Sequence, residues 1–282
     1  MRSVAFVSEK GGVGKSTSVL NVAASLARKG FKVLILDTDP QANVSYVLLR
    51  GEKPRRPTLH EVLVGQAEAG HAVVPTVLEG VSLLPAEASL ADANVPLAGE
   101  MGRERRLRVA MDGAGEDYDF ILVDTAPTRS LLTTNVLNFA EEVLVPIAPG
   151  LFGVLGLGQL QADVGQVRRF LDNKALRIGG ILLTMAEKNN VGRDLEAQLR
   201  QLFGGLVFRT KIPRSIKLEE AHSRHESILT YAPKSVGAAA YLALTEEILD
   251  HAGKEDRTGD AGGHPPAHHA ARGPAGRRRA GE

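Results

Sequence analysis

A glycine-rich stretch near the start of the chain constrains the fold more than any other feature. Its sequence is Glu9-Lys10-Gly11-Gly12-Val13-Gly14-Lys15-Ser16-Thr17. It follows a strand-like apolar run and precedes a helical pattern, which is the context that a P-loop requires. In such a loop, backbone N–H groups and the positive end of the helix dipole hold phosphate. The sequence therefore predicts a nucleotide-binding α/β protein.

Each part of this loop has a predicted role. The glycines let the backbone curl so that its N–H groups point at phosphate oxygens. Lys15 supplies a cation to the β- and γ-phosphates, Ser16 places its hydroxyl on Mg²⁺, and Thr17 reaches the α-phosphate. The predicted nucleotide-binding residues of the loop are Gly11, Gly12, Val13, Gly14, Lys15, Ser16 and Thr17.

Short apolar runs alternate with helical patterns over the first 250 residues. The candidate strands are Val4–Ser8, Val33–Asp37, Val81–Leu84, Phe120–Asp124, Val143–Ile147, Ile178–Thr184 and Leu206–Phe208. The candidate helices are Lys15–Lys29, Thr58–Val64, Glu100–Met111, Leu131–Phe139, Leu157–Leu171, Gly192–Leu202 and Val236–Asp250. Most of the strands are continuously apolar, which is typical of strands covered on both faces. This order predicts a single α/β domain over residues 1–250, with a mainly parallel sheet flanked by helices on both faces.

Two of the apolar runs end in carboxylates. Val33–Asp37 continues into Thr38-Asp39-Pro40-Gln41, and Phe120–Asp124 continues into Thr125-Ala126-Pro127. Ligands of parallel sheets bind at the carboxyl ends of strands, where these residues lie. Carboxylates beside a triphosphate hold Mg²⁺ or orient water. We therefore expect Asp124 to contact Mg²⁺ through water.

Glu9 and Lys10 depart from the common P-loop, which has Gly in place of Glu9 and lacks the additional lysine. Lys-Gly-Gly-x-Gly-Lys-[Ser/Thr] is the deviant Walker A pattern. The chain thereby resembles the ParA/MinD ATPases, and within them the ParA (Soj-like) partition ATPases. The resemblance implies that Lys10 crosses a dimer interface to the partner's nucleotide, much as an arginine finger does. It implies that Asp39 orients the attacking water, with Lys10, Lys15 and Asp39 catalytic, and that Ser16, Asp37 and Asp124 form the metal site.

Later segments extend the resemblance to about residues 1–250. Gly180–Met185 is similar to the strand before the adenine site, and Thr210–Arg214 is similar to the loop beside adenine. This similarity implies that Met185 and Pro213 contact the base. One segment departs from the family, because Arg224-His225-Glu226-Ser227 stands where a Gly-Lys-Pro is usual.

The resemblance also implies a biological role. ParA proteins dimerise with ATP, bind DNA without sequence preference, and move chromosome or plasmid DNA when a ParB-type partner stimulates hydrolysis. Non-specific binding uses Lys and Arg side chains on phosphates. The candidate DNA contacts are Arg209, Lys211, Arg214, Lys217, Arg224 and Lys234. Net charge is only +1, so any DNA surface must be a local patch.

Composition and the chain ends narrow the remaining possibilities. The absence of Cys excludes disulfides, thiolate metal sites and iron–sulfur clusters. No leader peptide or membrane-spanning run is apparent, so we expect a cytoplasmic, nucleoid-associated protein. No extension precedes the first strand, which argues against a ParA with a helix-turn-helix domain. Residues 251–282 are rich in Gly, Ala, Pro and His and are predicted to form a disordered tail.

Three alternatives remain open on sequence grounds. A MinD-like membrane-cycling ATPase requires a C-terminal amphipathic helix, whereas the tail has almost no large apolar residue. A relative that positions protein cargo on the nucleoid would use the same ATP and DNA cycle. A metabolic P-loop enzyme, such as a dethiobiotin-synthetase-like ligase, would need a substrate pocket in place of the Asp39-Pro40-Gln41 segment.

Overall fold

The structure is a computed structural model that describes residues 1–150, 153–187 and 189–255. The strands are β1 (Arg2–Phe6), β2 (Val33–Thr38), β3 (Val74–Pro75), β4 (Val81–Leu84), β5 (Phe120–Thr125), β6 (Glu142–Ile147) and β7 (Arg177–Leu183). The first helices are α1 (Lys15–Arg28), α2 (Asn43–Leu48), α3 (Leu59–Leu63), α4 (Ala69–Ala72), α5 (Asn94–Leu97) and α6 (Arg106–Ala110). They are followed by α7 (Leu131–Phe139), α8 (Gly153–Phe170), α9 (Asn190–Phe203), α10 (Ile216–Ser223), α11 (Ile228–Tyr231) and α12 (Val236–Glu255). Short 3₁₀ helices cover Ala88–Ala93, Arg103–Arg105 and Gly204–Leu206.

The strands among the described residues form one sheet in the order β3-β4-β2-β5-β1-β6-β7. All neighbouring pairs are parallel except the short edge strand β3, which runs antiparallel to β4. Parallel neighbours require crossover connections, and the helices between them cover the sheet. The predicted α/β fold with a mainly parallel sheet is confirmed. Because β1, β5 and β2 lie side by side, the P-loop and both acidic strand ends meet at one edge.

The continuously apolar strands are buried on both faces. Every residue of β2, β5 and β6 is buried. Successive side chains of a strand point to opposite faces, so Val4 and Phe6 pack in one apolar layer while Ala5 and Val7 pack in the other. Apolar layers on both sides explain why these runs do not alternate with polar residues.

Two of the predicted elements have a different kind of secondary structure over part of their length. The helix expected over Glu100–Met111 begins instead as the 3₁₀ turn Arg103–Arg105 and becomes α-helical at Arg106, after Gly102 in a left-handed conformation with φ 68°. The expected strand Leu206–Phe208 is a 3₁₀ turn followed by an isolated parallel bridge between Ile181 and Val207. Strand β3 and the short helices α2, α4, α5, α10 and α11 were not expected, since segments this short carry little periodicity.

The C-terminal helix is longer than its sequence pattern indicated. Helix α12 continues to Glu255, five residues beyond the predicted end at Asp250. The rest of the predicted tail, residues 256–282, lies outside the described residues. Among the helices that are described, none is both long and apolar enough to cross a membrane.

Candidate functional site

The P-loop leaves the carboxyl end of β1 and enters α1. Gly12 and Gly14 have φ values of 68° and 82°, a left-handed conformation that side chains with a Cβ rarely adopt. Thr184, at the end of β7, donates its hydroxyl to the carbonyl of Val13 at 2.8 Å. This bond ties the middle of the loop to the sheet, so the curled backbone is held in place before any ligand binds.

A cleft of about 600 Å³ opens over this loop. The P-loop residues that line it are Gly11, Gly12, Gly14, Lys15, Ser16 and Thr17. Met185 and Pro213 line the same cleft from the loops after β7, two strands away from β1. The backbone N–H of Ala186 donates to the carbonyl of Ile212 at 2.9 Å and joins those two loops. The structure therefore brings together the predicted phosphate and base contacts, except for the Val13 side chain, which is buried behind the loop.

Asp124 lies beneath the cleft at the end of β5. Ser16 donates its hydroxyl to one carboxylate oxygen, Oδ2, at 2.6 Å. The other oxygen, Oδ1, is buried and has no hydrogen-bond partner among the described residues. Burial raises the pKa of Asp124 well above its usual range, and the charges of Asp37 and Asp39 add to this effect, while Ser16 and Lys15 oppose it. An unsatisfied buried oxygen beside a serine hydroxyl fits a site that a hydrated Mg²⁺ completes.

Asp37 supports the neighbouring loop. Its carboxylate accepts hydrogen bonds from the N–H of Asp39 at 3.2 Å and from the N–H and hydroxyl of Ser45 at 2.9 and 2.7 Å. Burial raises its pKa to about 6, although these hydrogen bonds act in the opposite direction. One oxygen is thus engaged with the loop that carries Asp39, and the other with helix α2, which follows that loop. Direct participation of Asp37 in the metal site stays a prediction.

Lys15 and Asp39 bring opposite charges to the nucleotide cleft. Both side chains are largely buried and line the cleft. Burial lowers the pKa of Lys15, whereas the charges of Asp124 and Asp39 raise it. The N–H of Gln41 donates to Asp39 Oδ1 at 2.9 Å and orients that carboxylate. A buried cation beside a fixed carboxylate suits charge neutralisation of phosphate and orientation of a water.

Lys10 faces away from this cleft. It is exposed and lines a second cleft, of about 420 Å³, on the other side of the P-loop. A Cβ added at Gly150 would lie 3.3 Å from Lys10 Nζ, which places the ammonium beside that glycine. The two lysines of the motif therefore point in different directions, and Lys10 does not reach the protomer's own nucleotide cleft in this structure.

The predicted DNA contacts are all exposed. Four of the six are paired with carboxylates in the described part of the chain: Arg209 with Glu247, Lys211 with Glu196, Arg214 with Glu187, and Lys217 with Glu220. Arg224 also lies close enough to Glu220 to help lower the pKa of that carboxyl. This surface is consequently a mixture of both charges, and the assignment of individual residues to DNA stays a prediction.

Several residues of the site were not anticipated from sequence. Helix α10 borders the cleft through Leu218, Glu219 and His222. Tyr241 from α12 also borders it, and its hydroxyl lies 3.2 Å from Ser18 Oγ of α1. A fully buried tyrosine in an apolar pattern looks like an ordinary core residue. Thr184 had the clearest indication, since a polar residue at a strand's carboxyl end commonly serves a ligand site.

Comparison with known proteins adds independent observations. Residues 1–178 match a family model described as an AAA domain. The chromosome partitioning protein ParA of Caulobacter vibrioides is 37% identical over 252 residues, which cover 88% of this chain and 94% of that protein. The chromosome-partitioning ATPase Soj of Thermus thermophilus is 41% identical over 250 residues, which cover 88% and 96%.

Solved structures of other proteins that contain bound nucleotide have the same fold. Cobyrinic acid a,c-diamide synthase from Mycobacterium smegmatis, with bound ADP and magnesium, has a TM-score of 0.77 and 30% identity, and the match covers 92% of this chain and 97% of that one. The septum site-determining protein MinD from Pyrococcus horikoshii, complexed with Mg-ADP, has a TM-score of 0.72 and 28% identity over 90% and 98% of the two chains.

Proposed function

Because the chain belongs to the ParA family of P-loop ATPases and uses ATP and Mg²⁺, we propose that it segregates chromosome or plasmid DNA through an ATP-driven cycle of dimerisation and DNA binding. The observation that carries this proposal is the divergence of the two motif lysines. Lys15 is buried in the protomer's own nucleotide cleft, whereas Lys10 is exposed on the other side of the loop. A lysine so placed is available to the nucleotide of a second copy.

In this proposal, each residue around the cleft has a separate role in ATP hydrolysis. Lys15 and the N–H groups of the P-loop hold the β- and γ-phosphates. Ser16 and Asp124 would hold Mg²⁺, which when bound would supply positive charge that offsets the phosphate oxygens. Asp39 orients the attacking water, and Asp37 fixes its loop. Lys10 adds charge neutralisation from the partner, so hydrolysis depends on the assembled dimer.

DNA binding follows from dimerisation in this proposal. A dimer presents twice as many exposed Lys and Arg side chains around α10–α12 as one protomer, which raises the attraction for DNA phosphates. Arg224 and Lys234 make the first contacts with these phosphates. The four paired basic side chains exchange their carboxylates for phosphates when DNA arrives. A ParB-type protein stimulates hydrolysis and ends the bound state. The protein would then act in the cytoplasm, on the nucleoid.

Binding to non-specific double-stranded DNA, measured with ATP, with ADP and without nucleotide, tests the proposal. We expect DNA binding only with ATP, and faster hydrolysis and release after addition of a candidate ParB. Replacing Arg224 and Lys234 with Ala should lower the slope of log affinity against log salt by about 0.9 for each DNA phosphate that the protein no longer neutralises. Lys174→Ala, which changes an exposed lysine before β7, is the matched control.

Other outcomes would identify the alternatives. Equal DNA binding without nucleotide contradicts the cycle. ATP-dependent pelleting with anionic vesicles, in place of DNA binding, indicates a membrane-cycling ATPase. The structural relative named as a diamide synthase motivates one further control. ATP turnover that requires a small carboxylic acid and ammonia donor, and that ignores DNA and ParB, indicates an amide-forming enzyme. A DNA-binding dimer that requires a protein cargo instead of ParB indicates cargo positioning.

A further inference from the structure

A chain of ion pairs joins the start of the P-loop to the loop after β5 and to helix α8. Arg129 Nε lies 3.6 Å from Glu9 Oε1, and its Nη2 donates a hydrogen bond to Asp163 Oδ1. Glu9 immediately precedes Lys10, and Arg129 lies five residues after Asp124. One guanidinium therefore links the segment that presents the exposed lysine to the loop that follows the metal-site aspartate.

This chain of ion pairs belongs to the second cleft and not to the nucleotide cleft. Arg129, Glu9 and Asp163 all line the second cleft beside Lys10. The loop after β5 separates the two clefts, because Pro127 lines the nucleotide cleft while its neighbours line the second one. The ion pairs therefore lie on the face from which Lys10 projects.

Stability alone does not explain these ion pairs. The side chains of Arg129 and Glu9 are 52% and 43% exposed, whereas Asp163 is 17% exposed. Exposed ion pairs contribute little to folding, because water screens them and long side chains lose freedom. Their charge has a larger consequence. The charges of Glu9, Asp163, Arg129 and Lys10 sum to zero. Without the guanidinium, the two carboxylates and one lysine have a net charge of −1.

We propose that Arg129 is a positioning residue for ATP-dependent self-association. It neutralises Glu9 and Asp163 on the face that meets the triphosphate of a second copy, and it holds the segment that carries Lys10. Uncompensated carboxylates buried against phosphate would repel it and lose hydration. The inference rests on the proposed function, since it requires a dimer in which Lys10 reaches the partner's nucleotide.

The test compares self-association with ATP binding in charge variants. Dimerisation is followed by analytical ultracentrifugation with ATP and Mg²⁺, and the affinity of the protomer for a fluorescent ATP analogue is measured at dilution. We expect Arg129→Gln to weaken dimerisation about 30-fold or more, as removal of one partner from a buried charge pair does, while affinity for the analogue stays within about twofold of wild type. Arg129→Lys keeps the charge and should retain most dimerisation.

Two further variants separate charge from shape. Adding Asp163→Asn to Arg129→Gln removes one uncompensated carboxylate and should restore part of the dimerisation. Glu9→Gln alone makes the face more positive and should strengthen dimerisation, which gives a readable result even if Arg129→Gln fails to fold. Arg168→Gln removes the same charge from an exposed position of α8 and is the control.

The outcomes distinguish this inference from the proposed function. A wild-type protein that stays monomeric with ATP overturns both. A wild-type dimer that Arg129→Gln leaves unchanged overturns only the role of Arg129. An equal loss of dimerisation and of analogue affinity also overturns that role, since it would indicate general damage to the loop.

Discussion

Asp124→Asn should make the nucleotide-free protein more stable while it removes the metal site. Asp124 is buried with Asp37 and Asp39 near it, and no ligand offsets their charge in the absence of nucleotide. An asparagine oxygen can still accept the hydrogen bond from Ser16, and its amide group takes the place of Oδ1, which has no hydrogen-bond partner in the described part of the chain. The substitution therefore removes a buried charge without leaving Ser16 unsatisfied.

The magnitude can be worked from the neighbouring aspartate. Burial raises the pKa of Asp37 from 3.8 to about 6. Each pKa unit corresponds to about 1.4 kcal/mol, so ionised Asp37 costs about 3 kcal/mol in the folded protein relative to the unfolded chain. Asp124 is also fully buried, and burial is again the largest cause that raises its pKa, followed by the charge of Asp37. Replacement of buried charges by neutral groups of similar size stabilises proteins by up to about 4 kcal/mol. We therefore expect Asp124→Asn to raise the free energy of unfolding at pH 7.5 by about 1–4 kcal/mol, a range that includes the cost of ionised Asp37.

The pH dependence has a defined sign. A carboxyl whose pKa is raised in the folded state binds more protons there than in the unfolded chain. For Asp37 this holds between its ordinary pKa of 3.8 and about 6, so its contribution to stability is lost as the pH rises across that interval. Asp124 contributes in the same direction. Asp124→Asn should therefore show a shallower fall in stability with rising pH than wild type.

Urea unfolding between pH 4 and pH 8, with EDTA and without nucleotide, measures this effect. When the same experiment is repeated with Mg²⁺ and ATP, an ATP concentration of 100 times the dissociation constant should raise the free energy of unfolding of wild type by about 2.7 kcal/mol. The increase should be far smaller for the variant. Asp112→Asn, an exposed aspartate, is the control. A variant that is less stable than wild type at pH 7.5 without nucleotide, or one with an unchanged pH slope, would refute the reasoning.

Three further predictions concern the phosphate end of the cleft. Lys15→Ala should abolish ATP binding, measured with a fluorescent analogue, because it removes the buried cation that faces the phosphates. Asp39→Ala should still bind ATP but hydrolyse it poorly and accumulate a DNA-bound dimer; a variant that stays monomeric with ATP in sizing chromatography would contradict the assignment. Thr184→Val removes the bond to the Val13 carbonyl and should lower the free energy of unfolding in urea by about 1–2 kcal/mol. Thr184→Ser, which keeps the hydroxyl, should be destabilised less than the valine variant.

The sequence alone determined the fold class, the family resemblance and the position of the nucleotide site. These inferences depend on local patterns. The P-loop glycines, the apolar runs and the carboxylates at strand ends each lie within a short window, and a parallel sheet brings its carboxyl ends to one edge. Strand β4 and helix α7 were therefore located to the residue, Val81–Leu84 and Leu131–Phe139.

Tertiary structure alone decided how the charged groups of the site are partnered. Three features depend on residues that lie far apart in sequence. They are the Oδ1 of Asp124, which has no hydrogen-bond partner among the residues that the structure describes, the orientation of Lys10, and the link from Glu9 through Arg129 to Asp163. A short stretch of sequence cannot predict these features, because they require β5 to lie beside β1 and α8 to place Asp163 beside Arg129. The carboxylates of Asp37 and Asp124 also lose contact with water only when the helices pack on the sheet and bury them. A pattern of residue types can thus mark where charges gather, but burial and partners in space set what each charge does.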